Sequence, residues 1–362
     1  MRIHLDKIGS VTRNLRPSEV VTLTREIKAE AGSVVAGRII GEKSVYNQLE
    51  DLHGRLTRLH SGDVILGALG HRNALQGYEG VVPERISAGD KLHVLNTGGV
   101  IGRCTSQNPD IGQPFEIEIL GQLLVYPDFG SRVGQPGNIR MGALPAGDVL
   151  PTCPVIYIAG TCMNAGKTHA ACALVRGLSQ AGFKVGGCKL TGVSLMRDKL
   201  AMKDYGAVTV ADFTDAGVTT SNPATAPAGA RAVLAALARQ GVDIIVAETG
   251  DGIMGEYGVQ EILADPELRA LGKAYLLCAN DPVGVAGGVK EMKDVYGIQV
   301  DVVTGPATDN DVGTRFVTRA TGLPGINART KPRILAEHIQ ELLEERVPGF
   351  GSNRSNVLKD EE

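Results

Sequence analysis

The chain has 362 residues, of which 43% are apolar and 21% charged, with a formal net charge of −3. That balance excludes a collagen-like or disordered chain, and with no long basic run neither a nucleic-acid nor a membrane-surface partner is expected. The length exceeds one ordinary core, so two domains are expected.

From about residue 32 to 121 the chain reads as short β-type runs, "SVVAGRII", "GDVILGALG", "GYEGVVP", "GDKLHVLN", "GGVIGRC" and "PFEIEILGQLLVYP", broken by Gly-Asp and Asn-Pro turns. Short strands at regular spacing predict a small β-rich domain, a barrel or a sandwich, over residues 1–126. One interruption reads as helix: in "SVYNQLEDLHGRLTRL", Leu49, Leu52, Leu56 and Leu59 recur at helical spacing. His71, Arg72 and Asn73 stand in a turn between β runs, where a loop can reach a substrate, although solvated polar loops are the norm. The two glycines before Arg103 in "NTGGVIGRC" read as a strand bend. Residues 127–152 have the Gly/Pro density of a linker.

After Pro154 the texture changes. Apolar runs at "VIYIAG", "KVGGCKL", "DIIVAE", "KAYLLCAN" and "VDVVTG" alternate with Ala/Leu-rich helical segments. Continuous apolar runs are what strands buried on both faces look like, so residues 153–347 are expected to form an α/β domain, a mostly parallel sheet covered by helices. "TKPRILAEHIQELLEERV" makes a last amphipathic helix, and residues 348–362 are expected to be a disordered tail.

The six cysteines, Cys104, Cys153, Cys162, Cys172, Cys188 and Cys278, form no C-x-x-C pair and no zinc spacing. With no N-terminal signal and no apolar run approaching the roughly 20 residues of a membrane span, a cytoplasmic protein is expected. The thiols read as small buried hydrophobes, except Cys162, which sits inside a glycine-rich turn.

That turn, "GTCMNAGKT", follows the first apolar run and opens a helix. The standard phosphate loop is G-x-x-x-x-G-K-[ST]. Here Thr161 stands at the first glycine's place and Gly160 one step earlier. Such a loop wraps a polyphosphate with backbone N–H groups and offers it the positive end of the following helix. Gly160, Thr161, Cys162, Met163, Asn164, Ala165, Gly166, Lys167, Thr168 and His169 are therefore the expected phosphate-binding residues. Within them Gly166 permits close approach, Lys167 reaches the terminal phosphates, and Thr168 can place its hydroxyl on Mg²⁺.

From these residues the chain resembles dethiobiotin synthetase and its relatives in the cobyrinate amidase and molybdopterin-dinucleotide adaptor group, over roughly residues 154–310. "GTCMNAGKTHAACALVRGLSQAGFKVGGCKLTG" has their Gly-Thr opening, Gly-Lys-Thr, and a second strand ending in lysine. The resemblance implies that Lys189 touches the phosphates and the reacting carboxyl oxygens. It implies that Glu248, closing the third strand in "DIIVAETGDG", binds Mg²⁺, although Thr249 replaces the first glycine of the loop that follows in that family. It further implies an acid between these strands completing the metal shell, with Asp198, Asp204 and Asp212 competing. A second resemblance, of "YGAVTVADFTDAG" to a P-loop family some of whose members are assigned as D-amino-acid N-acetyltransferases, favours Asp212. The expected metal set is thus Thr168, Asp212 and Glu248. Mg²⁺ needs only one or two protein oxygens beside substrate phosphates, so that set suffices.

Guanine-specific P-loop proteins usually carry Asn-Lys-x-Asp after a late strand, and neither "CANDPVGVAGG" nor "VVTGPATDNDVG" contains it, so ATP is the expected nucleotide. The first resemblance implies adenine contacts from the loop after the fifth strand, residues 305–309 here. It also implies the reaction: ATP- and Mg²⁺-dependent activation of a small carboxylate or amino-acid-like substrate as an acyl phosphate, in a ligase or cyclase. Lys167 and Lys189 would neutralise charge on the transferred phosphoryl group, and residues 248–258 would form the acceptor loop. Two other classes stand beside this one. The second resemblance implies an acyltransferase holding coenzyme A phosphates at the loop; a nucleotide-switched adaptor or metallochaperone would need a metal motif, for which Cys162 and His169 have no third ligand. A homo-oligomer is expected.

Overall fold

The computed structural model describes residues 1–127, 130, 132–147 and 149–351, which fall into two units. The first contains Met1–Pro145, Gly192–Arg197 and Phe213–Ser221; the second contains Ala146–Thr191, Asp198–Asp212 and the chain from Asn222 onward. Chain order alone would put 192–197 and 213–221 in the α/β domain. Their bonds place them in the first unit: Val193 bridges Thr220, the Asn96 side-chain amide donates to Ser194 O at 2.6 Å, and Arg13 pairs with Asp215 at 2.8 Å.

The first unit is β-rich. Its strands are β1 (Arg2–His4), β2 (Lys7–Ile8), β3 (Val20–Thr24), β4 (Val34–Ile40), β5 (Gln48–Glu50), β6 (Leu56–Arg58), β7 (Val64–Leu69), β8 (Arg72–Asn73), β9 (Tyr78–Val81), β10 (Lys91–Val94), β11 (Val100–Gln107), β12 (Glu116–Val125) and β13 (Gln135–Pro136). The main path runs β1-β3-β12-β4-β7-β11-β9-β8, and β10 pairs with both β11 and β12. Strands β12, β4, β7, β11 and β10 therefore close into a ring, which makes this unit a barrel. Both faces of β4 and β7 are buried. Val35, Ile39, Ile65 and Leu69 pack with Ile101 and Ile117, while Val34, Ala36, Leu66 and Ala68 pack with Leu5, Val11 and Leu23.

The expected helix at residues 44–59 is instead a hairpin of β5 and β6. Turn chemistry overrides the leucine spacing. The Asp51 carboxylate accepts from the backbone N–H of His53 at 2.8 Å and of Arg55 at 3.0 Å, and Gly54 takes φ +83°. Leu49 and Leu59 are buried, but Leu56 is 46% exposed. Within the expected linker, β13 pairs with β12, Asn138 caps a 3-10 turn at Ile139–Gly142, and Ile139 is fully buried. This stretch is thus pinned by β13 and the buried residues 137–139, while Met141 and Val149 beyond it are exposed.

The second unit carries the parallel sheet: β14 (Val155–Gly160), β15 (Val185–Lys189), β16 (Thr209–Asp212), β17 (Ile244–Glu248), β18 (Gly272–Cys278) and β19 (Val302–Thr304), in the order β16-β15-β17-β14-β18-β19. All its ladders are parallel. The strand missed from sequence is β16, a four-residue edge strand too short to stand out as an apolar run. In consequence residues 305–309 follow the sixth strand and not the fifth.

The helices are α1 (Lys167–Gln180), α2 (Arg197–Asp204), α3 (Ala226–Ala238), α4 (Val259–Ala264), α5 (Pro266–Leu271), α6 (Pro282–Tyr296), α7 (Asp311–Thr321) and α8 (Pro332–Arg346). Helix α1 buries Leu174, Val175 and Leu178, each worth about 1.5–3 kcal/mol. Gly177 lets Ala336 of α8 touch its backbone directly. Helix α8 in turn buries Leu335, Ile339 and Leu343, the stripe its sequence predicts. Of the expected tail, Phe350 stacks on Phe183 with ring centres 4.6 Å apart, and residues 352–362 lie outside the described residues. Among the described residues no helix is long and apolar enough to cross a membrane.

Candidate functional site

The site lies at the C-terminal ends of the parallel strands, where an open α/β sheet places its ligands. Strand β14 is buried throughout and ends at Gly160; the loop 161–166 follows, and α1 begins at Lys167. Two residues bend the loop, Asn164 at φ +58° and Gly166 at φ +92°. The shifted glycine has a physical reason. Lys167 folds back over Gly160, where a Cβ would come 2.9 Å from its Cδ, and its ammonium donates to Cys162 O at 2.8 Å. Thr161 has no positive φ, so its position does not need glycine; its amide donates to Cys278 O at 2.9 Å. The loop thus leads into a helix N-terminus, the kind of end that offers backbone amides to an anion, with one lysine curled across it.

Strand register then assembles the charged residues. Lys189 of β15 lies beside Glu248 of β17 on one side and Asp212 of β16 on the other. The Thr168 hydroxyl lies 3.2 Å from Glu248 Oε1 and 3.5 Å from Asp198 Oδ1. Lys189 Nζ is bonded to Asp198 Oδ2 and lies 3.9 Å from Glu248 Oε1. One hydroxyl and two carboxylates therefore converge, with the Lys189 ammonium bonded to one of the carboxylates and close to the other. Glu248 is only 2% exposed, and among the described residues its Oε2 has no hydrogen-bond partner.

The geometry bears on the choice among the three acids. Of the three competing acids it is Asp198, in the first turn of α2, that meets Thr168 and Glu248. Asp212 is ion-paired to Lys199 of α2 at 3.2 Å, and Asp204 is exposed at the end of the same helix. Oxygen-only donors of this kind suit Mg²⁺, so Thr168, Asp198 and Glu248 would hold it, with the remaining ligands supplied by phosphate and water. Among the described residues no group of three or more His, Cys, Asp and Glu side chains is arranged to hold a metal by itself.

The other expected residues divide. Gly160, Thr161, Cys162, Met163, Asn164, Ala165, Gly166, Lys167 and Thr168 form the loop and helix start. His169 lines a cleft with Asn164 and Gly166, faced by Gly305, Pro306 and Arg329. The Asn327 side-chain amide ties the far wall together by donating to Asp309 Oδ1 at 2.9 Å and Gly305 O at 3.3 Å. Cys162 Sγ accepts from the Asn280 side chain at 3.1 Å. Cys172 and Cys278 are buried, and burial pushes both thiols up to about 12, which leaves them inert at neutral pH. In the first unit Arg72 is no reaching loop residue. It is buried, lies against the Tyr46 and Tyr78 rings, and donates to Leu95 O.

One residue was missed. Asp251 follows Glu248 in "ETGDG" and is 8% exposed, at φ +69°. The signal was an acid between two glycines, since Asp tolerates the left-handed region better than most residues.

No protein-family model and no curated protein matches the chain. Among solved structures it is similar to the signal recognition particle 54 kDa protein of Aeropyrum pernix K1 in complex with GDP: 15% identity, 59% of this chain and 50% of that one covered, TM-score 0.36. It is also similar to the signal recognition particle receptor FtsY of Elizabethkingia anophelis, with 13% identity over 53% of this chain and 65% of that one at TM-score 0.37. For chloroplast FtsY of Physcomitrella patens the values are 16% identity, 50% and 59% coverage and TM-score 0.36. The matched parts span between half and two thirds of those chains. What the site can do follows from its own residues.

Proposed function

We propose that the second unit binds a magnesium nucleoside triphosphate, ATP by preference, and transfers its γ-phosphoryl group to a small carboxylate. The observation that carries this reading is the convergence of Thr168, Asp198 and Glu248 beside Lys167 and Lys189 at the mouth of a phosphate loop. Bound Mg²⁺ would neutralise charge on the β- and γ-phosphates. The loop amides and Lys167 would grip the phosphates, and Lys189 would be released from Asp198 to meet the transferred group and the acceptor. In the transfer the acceptor oxygen bonds to the γ-phosphorus as the bond to the bridging oxygen breaks, giving an acyl phosphate and ADP. Protein groups placed this way act by positioning and by charge stabilisation. A base leaving the loop into the cleft would meet Gly305, Pro306 and Arg329, and the absence of Asn-Lys-x-Asp from the sequence supports reading that base as adenine.

The test is phosphate release from ATP and from GTP, each with Mg²⁺, across a panel of small carboxylic acids, beside coenzyme A titrations without nucleotide. Acid-stimulated ATP turnover supports the reading. Coenzyme A binding with no response to either triphosphate overturns it in favour of acyl transfer, and hydrolysis indifferent to every acid favours a nucleotide-driven switch.

A further inference from the structure

Helix α2 is held to the sheet by charge more than by core. Of its eight residues the buried ones are Asp198, Lys199 and Met202, so two of its three buried side chains are charged. Met202 supplies the apolar seat against Gly187 of β15, where an added Cβ would lie 3.0 Å from the Met202 Cβ. The two charges are consecutive, about 100° apart around the helix, and so address different strands. Asp198 meets Lys189 at the end of β15, and Lys199 meets Asp212 at the end of β16 at 3.2 Å. Lys189 and Asp212 are themselves partners in the register of β15 with β16. The first turn of α2 is thus matched, acid on base and base on acid, to two neighbouring strand ends.

The two contacts have different fates when a polyphosphate arrives. Lys189 is the group that the transferred phosphoryl would draw away, and Asp198 then loses the ammonium bonded to it. The Lys199–Asp212 pair meets no phosphate in that reading. Its side chains are 7% and 1% exposed, and Asp212 is fixed by the β16 ladder. Breaking a buried pair by removing one partner is strongly unfavourable, because it leaves the other charge uncompensated. The pair therefore persists while Lys189 moves, and it anchors the residue next to Asp198 in the chain. Groups that orient a metal ligand from outside its shell typically change metal affinity about 10–100-fold when they are lost.

We propose that Lys199, through its ion pair with Asp212, is the positioning residue that keeps Asp198 turned towards Thr168 and Glu248 once Lys189 leaves. This rests on the magnesium–nucleotide reading above and deepens it. The competing role for the pair is structural, with Lys199 serving only to neutralise Asp212, and a double variant separates the two. The test is calorimetric titration of ATP, with and without Mg²⁺, into the full chain as wild type, Lys199→Met and Lys199→Met/Asp212→Asn, with melting temperatures read beside it. Lys199→Met leaves the Asp212 charge uncompensated and should melt lower; the double variant carries no such charge and should recover. In both, the Mg²⁺-dependent tightening of ATP binding should fall by about 10–100-fold, while ATP affinity without Mg²⁺ stays that of wild type. A full Mg²⁺ response in Lys199→Met overturns the proposal, since Asp198 would then need no help from Lys199. Return of that response together with stability in the double variant also overturns it, by making the pair structural. So does an equal loss of ATP affinity with and without Mg²⁺ in the double variant. ATP affinity indifferent to Mg²⁺ in the wild type would instead sink the nucleotide reading itself.

Discussion

Glu50 and Glu248 are both glutamates at the end of a β-strand, 1% and 2% exposed, one in each unit. Glu50 Oε1 is satisfied: it accepts from the Ser10 hydroxyl at 2.6 Å and from Met196 N at 2.7 Å. Glu248 takes one bond from Thr168, and among the described residues its Oε2 has no hydrogen-bond partner. A buried carboxylate closed by donors holds a fold together. One left open at a strand end beside a phosphate loop keeps an acceptor that the described residues do not fill.

The difference can be broken from either side. The largest effect is expected at the loop: Lys167→Ala should lower Mg²⁺-dependent ATP turnover about 10²–10³-fold, as loss of one preorganised charge stabiliser does, with an unchanged melting temperature as the control. Glu248→Gln should cost nearly as much turnover while leaving thermal stability equal to or above wild type, because an incompletely satisfied buried charge is removed. Glu50→Ala should do the reverse. It strands the Ser10 hydroxyl and the Met196 amide, costing about 1–3 kcal/mol for each group, read as a lowered denaturation midpoint with ATP binding retained. If Glu248→Gln proves as destabilising as Glu50→Ala, the two glutamates do not differ in kind.

Asp251 gives a subtler test with a sign. Its folded-state pKa is raised above the ordinary 3.8, so the fold favours the neutral acid. The stability that preference gives is complete below about pH 4 and is lost as pH rises through the raised value. The melting temperature of Asp251→Asn should therefore gain on wild type as pH climbs from 4 towards 7, and a constant offset would contradict the burial argument. The smallest effect is expected at Leu56→Gln, within about 0.5 kcal/mol of wild type as for exposed positions, whereas Leu49→Ala should cost about 2–5 kcal/mol.

What the sequence made legible follows from which signals are local. The loop "GTCMNAGKT", the buried parallel strands and α8 could be read because each carries its signal within a dozen residues. The hairpin at Leu49–Leu59 could not, since leucine spacing and an Asp-x-x-Gly turn gave opposite answers and only packing decided between them. Strand β16 was too short to show, and without it the strand count slipped by one. The choice among Asp198, Asp204 and Asp212 was lost for another reason. All three lie within one stretch, and it is the placement of α2 that turns Asp198 towards Thr168 and joins Lys199 to Asp212.

The most direct measurement is calorimetric titration of ATP, with and without Mg²⁺, into wild type and Asp198→Asn. ATP binding tightened by Mg²⁺ in wild type, with that tightening lost in Asp198→Asn, is the result expected if Thr168, Asp198 and Glu248 share the metal of a bound nucleotide. ATP affinity indifferent to Mg²⁺, or a full Mg²⁺ response in Asp198→Asn, would contradict it.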